Sequence, residues 1–304
     1  MMEETEKVYA ALRKVRQIEL RARILLDEAL SGAYHSVFKG RGVNFEEVRE
    51  YNFGDEIRFI DWNITAKMDH PFVKVFREER ELTLLLAVDI SRSNEWGSSQ
   101  QTKREFSAEV ASLLAFSAAR NNDKVGLLLF SDQVELFIPP RKGRQHLLRI
   151  IREILFFKPT HSTTNLQVAL EALAKLQKHK AIIGFISDFV PTHDELDLSE
   201  MLSKLSLLNQ KHDLICINIS DEREHSVPNV GYLALQDAET QKIFYVNSNS
   251  EQCRRQFAAI AERRNNALYQ ACKKRGIDLI RLQSNQAYLP LLKTFFKTRQ
   301  ASRR

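Results

Sequence analysis

The decisive stretch of this chain reads Leu84-Leu85-Leu86-Ala87-Val88-Asp89-Ile90-Ser91-Arg92-Ser93. Its apolar first half predicts a strand. The residues that follow present one carboxylate and two hydroxyls at alternate positions, from Asp89, Ser91 and Ser93. Mg²⁺ prefers oxygen ligands, takes only one or two carboxylates from protein and retains several waters. The loop is therefore a candidate metal site, although Asp and Ser are also preferred in any ordinary strand-to-helix turn.

Two later loops carry similar chemistry. Thr163-Thr164-Asn165-Leu166 opens an amphipathic helix, and the apolar run Ile182-Ile183-Gly184-Phe185-Ile186 ends in Ser187-Asp188. From residue 82 onward strands alternate with helices, which predicts a mostly parallel sheet whose ligands bind at the carboxyl ends of the strands. Asp89 and Asp188 both follow parallel strands. An antiparallel strand and a helix return the threonine loop to the same edge, so all three loops are predicted to converge.

The three loops resemble the D-x-S-x-S, threonine-loop and S-D-G elements of the metal-ion-dependent adhesion site (MIDAS) of von Willebrand factor A domains. The resemblance implies bound Mg²⁺, with Mn²⁺ or Ca²⁺ as alternatives. Two departures from the pattern are Ser162-Thr163, where the family often has Gly-Gly, and Phe189, which replaces the Gly after the aspartate. Thr163 is a rival to Thr164 as the ligand. The ligands implied by the resemblance are Asp89, Ser91, Ser93, Thr164 and Asp188.

A second resemblance lies upstream. The stretch from Gly40-Arg41-Gly42 to Tyr51, the block Arg58-Phe59-Ile60-Asp61-Trp62 and the stretch from Phe76 to Glu81 are similar to the signature of the domain of unknown function 58 family. The R-x-I-D-W block is the most specific part. The likeness runs from about residue 37 to about residue 220, and it implies a bacterial or archaeal protein with a divergent von Willebrand A-like domain.

The family is typically encoded beside MoxR-type AAA+ ATPases. The resemblance therefore implies such an ATPase as a protein partner, together with a client that presents an acidic residue. Within the family block, we expect Asp61 to pair with Arg58 or Arg49 and Trp62 to be packed. A role for Asp61 and Trp62 in partner contact stays open as the alternative.

Four segments are predicted: an N-terminal amphipathic helix at 1–36, a β-rich elaboration at 37–81, a von Willebrand A-like doubly wound α/β domain at 82–297 and a basic tail at 298–304. The first helix, predicted over 3–31 and closed by Gly32, carries an apolar stripe. That stripe either docks on the protein's own second layer or pairs with another protein. Pro139-Pro140 is predicted to end the strand at 134–138, and the last helix is predicted over 286–297.

Composition indicates a globular cytoplasmic protein. The chain has 304 residues, 43% of them hydrophobic, which supports a sizeable core. No apolar run approaches the roughly 18 residues of a membrane span, and the start lacks the pattern of a signal peptide. Three scattered cysteines suggest neither disulfides nor zinc binding. The net charge of +6 is spread along the chain, and nucleic-acid binding is not favoured.

Several enzyme classes lack their motifs here. There is no Walker A phosphate loop, no H-E-x-x-H and no G-x-S-x-G. His161 lies near Thr164, but Mg²⁺ prefers oxygen, so we interpret it as a surface residue. The leading hypothesis is a non-catalytic, Mg²⁺-dependent protein-interaction module, an accessory or adaptor of a MoxR-type ATPase in complex assembly or protein maturation. The alternatives are a metal-dependent phosphoesterase or nuclease and a metal-free scaffold with a degenerate site. The sequence leaves the oligomeric state open.

Overall fold

A computed structural model describes most of the chain. The described residues are 2–29, 44–68, 70–77, 81–98, 101–161, 163–190, 195–236 and 241–302. Some sequence features discussed above lie outside them, namely Gly32, Ser162 and the stretches 40–43 and 78–80.

Strands and helices are numbered in chain order. The strands are β1 (Asn44–Glu50), β2 (Phe72–Arg77), β3 (Thr83–Asp89), β4 (Lys124–Phe130), β5 (Val134–Arg141), β6 (Ile182–Ser187), β7 (Asp213–Ser220), β8 (Tyr232–Gln236), β9 (Ile243–Asn247) and β10 (Asp278–Gln283). The helices are α1 (Met2–Ala29), α2 (Trp62–Met68), α3 (Lys103–Arg120), α4 (Arg144–Phe156), α5 (Leu166–Leu176), α6 (Glu195–Lys211), α7 (Glu251–Lys274) and α8 (Leu289–Ser302).

The central sheet has six strands in the order β10-β7-β6-β3-β4-β5. Only β5 runs antiparallel to its neighbour, and the other pairs are parallel. The inner strands are nearly continuous apolar runs because helices cover both faces of the sheet. From β3 the chain builds outward through β4 and β5, then crosses to β6 on the other side of β3. The strand order therefore reverses between β3 and β6, and the predicted doubly wound fold is confirmed.

Helix α3 is buried along most of its length, from Lys103 to Ala118. It lies against the sheet on one side and contacts α1 on the other. A helix covered on both sides cannot show a strong amphipathic pattern, which explains its run of small and apolar residues. The buried stripe of α1 consists of Val15, Ile18, Ala22 and Leu26, so this helix docks within its own chain. Leu12, an apolar residue of the same helix, is exposed.

The predicted end of β5 at residue 138 is wrong. The strand continues through Pro139 and Pro140 to Arg141. It lies at the edge of the sheet, where the N–H group that proline lacks is not needed for a hydrogen bond to a neighbouring strand. The register shifts between the pairs Val125–Arg141 and Leu127–Ile138, so the two prolines form a bulge opposite Gly126. A Cβ at Gly126 would lie 2.9 Å from Pro140 Cγ, which explains the glycine.

Residues 38–82 form a separate compact unit, in which β1 and β2 pair antiparallel. Both expectations for its R-x-I-D-W block are wrong. Asp61 caps α2 through the backbone N–H groups of Asn63 and Ile64, and its carboxylate lies 3.2 Å from Lys74 Nζ.

The expected cations have other partners: Arg49 pairs with Asp55, and Arg58 pairs with Glu56. Trp62 is 66% exposed and is therefore not packed. Asp61 does not pair with either arginine because it lies at the N-cap of α2, where its carboxylate is turned toward the first N–H groups of that helix.

The last helix, α8, ends at Ser302, beyond the predicted end at 297. Arg299, assigned to the basic tail, is buried and forms salt bridges to Asp213 and Asp278. Within the described ranges, no helix combines the length and apolar character needed to cross a membrane.

His212 gives the fold a specific pH response. It lies between α6 and β7 with 3% of its surface exposed, and neither ring nitrogen has a hydrogen-bond partner among the described residues. Burial, and then the neighbouring Lys211, lower the pKa of His212. The unfolded chain takes up the proton more readily, so this contribution to stability is present above about pH 6.5 and decreases as the pH falls below that value.

We therefore expect His212→Phe to lose less stability than the wild type between about pH 7.5 and about pH 5.5, the range in which histidine titrates. Denaturant unfolding at the two pH values measures the difference. His179→Phe, which replaces an exposed histidine, is the control and should follow the wild type. An unchanged pH response in His212→Phe would contradict this account.

Candidate metal centre

The first and third predicted loops meet at the point where the strand order reverses. Asp89 is the last residue of β3, and Asp188 directly follows β6, the neighbour of β3 in the sheet. Connections leave these two strands in opposite directions, which opens the crevice where ligands bind in doubly wound sheets. The hydroxyl of Ser93 donates to Asp188 Oδ2 at 3.0 Å and so joins the two loops directly.

The hydroxyls and carboxylates of these loops form a connected set. Ser91 Oγ and Ser93 Oγ lie 3.2 Å apart. Asp89 Oδ1 accepts the backbone N–H of Ser91 at 2.9 Å, and Asp89 Oδ2 accepts the hydroxyl of Ser187 at 2.8 Å. These bonds hold the Asp89 carboxylate in one orientation at the end of its strand.

The threonine loop reaches the same edge of the sheet. The backbone N–H of Asn165 donates to the carbonyl of Ser131, which directly follows β4, at 2.9 Å. Thr163 is turned away, because its hydroxyl donates to Asp132 Oδ2 at 3.0 Å. His161 contacts the same carboxylate oxygen from an exposed position. Thr164 is buried, which favours it over Thr163 as the hydroxyl of this site.

The basic cluster of Arg141, Lys142 and Arg144 lies at the opposite edge. Arg141 pairs with Val125 near the start of β4, whereas Asp89 pairs with Phe130 at the end of that strand. Arg144 forms a salt bridge of 2.8 Å to Glu19 of α1. This cluster is therefore too remote to assist chemistry at Asp89.

The two aspartates differ in pKa because of their burial and the charges beside them. Burial, and then the charge of Asp188, raise the pKa of Asp89 to about 7. Burial acts on Asp188 in the same direction, but the ammonium of Lys103 outweighs it, and the pKa of Asp188 lies below its usual value. Of the two carboxylates, Asp188 is therefore the more acidic and Asp89 the less acidic.

Sequence reasoning missed Lys103, the first residue of α3. Its Nζ donates to Asp188 Oδ2 at 2.9 Å and to Glu224 Oε1 at 2.6 Å, with a side chain only 1% exposed. The sequence did contain a signal for the unusual role of Lys103. Cations are unfavourable in the first turn of a helix because of the helix dipole, and a residue that breaks a local rule often belongs to a functional site.

Asp221 was also missed. Its carboxylate accepts the N–H of Ser98 at 2.9 Å and the hydroxyl of Ser284 at 3.1 Å, and it begins a capping box that includes Glu224. It thereby ties the loops that follow β3, β7 and β10. The local sequence does not indicate that Asp221 connects three loops, because aspartate is common at helix N-caps.

The oxygen set suits a hard divalent cation in kind and in spacing. Neighbouring ligands of octahedral Mg²⁺ lie about 3 Å apart. Ser91, Ser93 and Asp188 show such oxygen spacings, at 3.2 Å and 3.0 Å. In the part of the chain that the structure describes, no group of three or more His, Cys, Asp and Glu side chains is placed to hold a metal ion. Hydroxyls and waters would therefore have to complete the coordination shell of a metal ion held by the two aspartates.

A six-stranded, mostly parallel sheet with helices on both faces and these loops at its switch point defines a von Willebrand A-like domain. The family model described as "Protein of unknown function DUF58" matches residues 47–267. The chain therefore belongs to the DUF58 family, as the R-x-I-D-W block predicted.

Relatives and solved structures are similar to large parts of the chain. An uncharacterized protein of Mycobacterium tuberculosis is 31% identical over 236 residues, which cover 77% of this chain and 72% of that protein. The conserved hypothetical protein BatB from Bacteroides thetaiotaomicron is 14% identical, with a TM-score of 0.46 over 73% of this chain and 99% of that one. The SpRpn10 VWA domain is 13% identical, with a TM-score of 0.39 over 70% of this chain and 94% of that one.

Metal addition tests the candidate centre. A ligand that binds only the folded state raises stability, by about 2.7 kcal/mol at 100 times its Kd. We expect Mg²⁺ to raise the melting temperature of the wild type but not that of Asp89→Asn. In EDTA near pH 8, Asp89→Asn should melt no lower than the wild type, because it removes one of two buried like charges. Differential scanning calorimetry measures both effects.

Asp55→Asn is a suitable control, because Asp55 pairs with Arg49 in the 38–82 unit. It should keep the full response to Mg²⁺. A metal response that survives Asp89→Asn would show that the cation binds elsewhere.

Proposed function

We propose that this protein is a non-catalytic, Mg²⁺-dependent protein-interaction module that serves as an accessory or adaptor of a MoxR-type AAA+ ATPase in complex assembly or protein maturation. The observation that carries the proposal is the meeting of Asp89, Ser91, Ser93 and Asp188 at the switch point of a von Willebrand A-like sheet. Thr164 completes the ligand set. When bound, Mg²⁺ would offer an open coordination position to a carboxylate of the partner.

The surrounding residues prepare this edge for binding. Ser187 and the backbone of Ser91 orient Asp89, and Ser93 orients Asp188. Asp221 joins three loops around them. Because these contacts exist before a partner arrives, association loses less conformational entropy than at a mobile loop.

The ATPase partner is supported by membership of the DUF58 family, since that resemblance implies a MoxR-type neighbour. The family-specific unit also presents apolar side chains to solvent. Trp62 is 66% exposed, and Phe53 and Ile57 are exposed beside it in sequence. Exposed aromatic residues are common anchors at protein interfaces, so this unit offers a second contact surface for a partner.

One observation favours the alternative of a metal-dependent phosphoesterase or nuclease. A carboxylate with a pKa of about 7, as in Asp89, is suited to general-base catalysis. Two features weigh against it. Both oxygens of Asp89 already accept hydrogen bonds, and its side chain is almost wholly buried, so an incoming water has little access. The metal-free scaffold is favoured by Lys103, whose ammonium already neutralises part of the site.

The interaction proposal predicts that partner binding depends on the edge of the sheet that carries Asp89 and Asp188. Asp89→Ala and Asp188→Ala should weaken binding of the neighbouring MoxR-type ATPase or its client in Mg²⁺. Removing one partner of a buried charged contact costs about 2–5 kcal/mol, whereas exposed charges mainly change association rate and salt dependence. Calorimetry at two salt concentrations, with and without EDTA, measures the effect.

Arg141→Glu with Lys142→Glu is the matched control at the opposite edge. Arg144 is left intact because it pairs with Glu19. This control should keep most of the affinity. If it loses binding while Asp89→Ala does not, recognition is electrostatic and the proposed function is wrong.

Absence of catalysis is a separate expectation. With Mg²⁺ or Mn²⁺ the purified protein should hydrolyse neither ATP nor a chromogenic phosphodiester above background, because Asp89 is buried and both of its oxygens already accept hydrogen bonds. Steady-state assays on the wild type and Asp89→Asn test this. Turnover that Asp89→Asn abolishes would place the phosphoesterase hypothesis first.

A further inference from the structure

Lys103 occupies an unusual place for a lysine. Its side chain is 1% exposed, and it is among the largest fully buried side chains of the described residues. A buried ammonium is costly unless opposite charges and hydrogen bonds compensate it. Asp188 and Glu224 supply that compensation as hydrogen-bonded ion pairs at 2.9 Å and 2.6 Å. Lys103 therefore stays charged.

The contact with Asp188 falls on a specific atom. Nζ donates to Asp188 Oδ2, the same oxygen that accepts the hydroxyl of Ser93. Ser93 and Asp188 are two of the five ligands implied by the MIDAS resemblance. The lysine thus places its positive charge on an oxygen that the candidate metal centre would use.

The charges of this group leave room for a divalent cation. Asp89, Asp188 and Glu224 bring three carboxylates, and Lys103 brings one positive charge. With all three carboxylates ionised, the group carries two uncompensated negative charges. A divalent cation carries the charge that would balance this excess.

We propose that Lys103 is a tethered cation that competes with the divalent metal for Asp188 Oδ2 and thereby sets the metal affinity of the site. In the metal-free protein its ammonium holds Asp188 in place. Metal binding requires Nζ to give up Asp188 and to remain on Glu224. This inference rests on the proposed function for its metal, and it adds a residue that regulates occupancy.

A purely structural ion pair accounts less well for these contacts. The first turn of α3 disfavours a cation, and replacing a buried ion pair by apolar residues is often neutral or stabilising. An ammonium that bridges a candidate ligand and a third carboxylate has a use in this position, because it offsets the charge of Asp188 when no metal is bound.

Three variants test the competition. Lys103→Met removes the charge and keeps much of the apolar length. The double variant Lys103→Met with Glu224→Gln also removes the carboxylate that would be left unpaired, so it keeps the wild-type net charge and is the safer variant for folding. The amide introduced by Glu224→Gln retains an oxygen to accept the N–H of Asp221, as Glu224 Oε2 does at 3.2 Å. Lys178→Met, at an exposed lysine, is the control.

Mn²⁺ binding is measured by the electron paramagnetic resonance signal of free Mn²⁺, and melting temperatures are recorded in EDTA and in Mg²⁺. Both Lys103 variants should bind Mn²⁺ at least tenfold more tightly than the wild type. Lys103→Met should melt lower than the wild type in EDTA and recover in Mg²⁺, a rescue that a merely structural lysine would not show. Lys178→Met should match the wild type in each measurement.

The outcomes separate this inference from the proposed function. If both Lys103 variants bind Mn²⁺ with the same affinity as the wild type, the proposed competition is wrong and the proposed metal centre is supported. If only the Lys103 variants bind Mn²⁺, the competition is supported and the wild-type metal-dependent function fails. If no form binds Mn²⁺, both are wrong.

Discussion

Two carboxylates buried beside each other at the ends of β3 and β6 impose the main constraint on this protein. Neither can keep its charge without compensation, because transfer of an ion from water to the protein interior costs several kcal/mol even after relaxation. Asp89 responds with a pKa near 7, whereas Asp188 stays ionised beside Lys103. The serines of both loops, Glu224 and the first turn of α3 are arranged around that requirement.

The requirement links the N-terminal helix to the site. Lys103 is the first residue of α3, which lies between the sheet and α1 over most of its length. Ion pairs of α1 with Glu105 and Glu109 of α3 fasten the two helices. Helix α1 therefore supports α3, which carries Lys103, although α1 itself lies outside the candidate site.

The same geometry bears on the choice between binding and catalysis in the proposed function. Two aspartates and three hydroxyls would hold the cation of the proposed module, whereas a hydrolytic centre also needs a base that water can reach. Asp89 has a suitable pKa, yet its oxygens are occupied by Ser91 and Ser187. The proposed interaction module needs no such base.

Apolar runs and loop chemistry were sufficient to predict β3, β6 and the loops of the site. Apolar runs mark β3 and β6, and the carboxyl ends of parallel strands necessarily share one edge, so Asp89 and Asp188 could be placed together without coordinates. Motif and spacing also identified the family. These inferences succeed because hydrophobic periodicity and chain direction are local properties of the sequence.

The pairing of charges, by contrast, depends on tertiary packing. Lys103 lies 85 residues from Asp188 and 121 from Glu224, and their contact follows from strand register and from the burial of α3. Asp61 contacts Lys74 instead of the arginines near it in sequence, and the bulge at Pro139 and Pro140 depends on Gly126 of the next strand. Such pairings depend on three-dimensional packing between distant segments, and no sequence period encodes the distance between two side chains that are far apart in the chain.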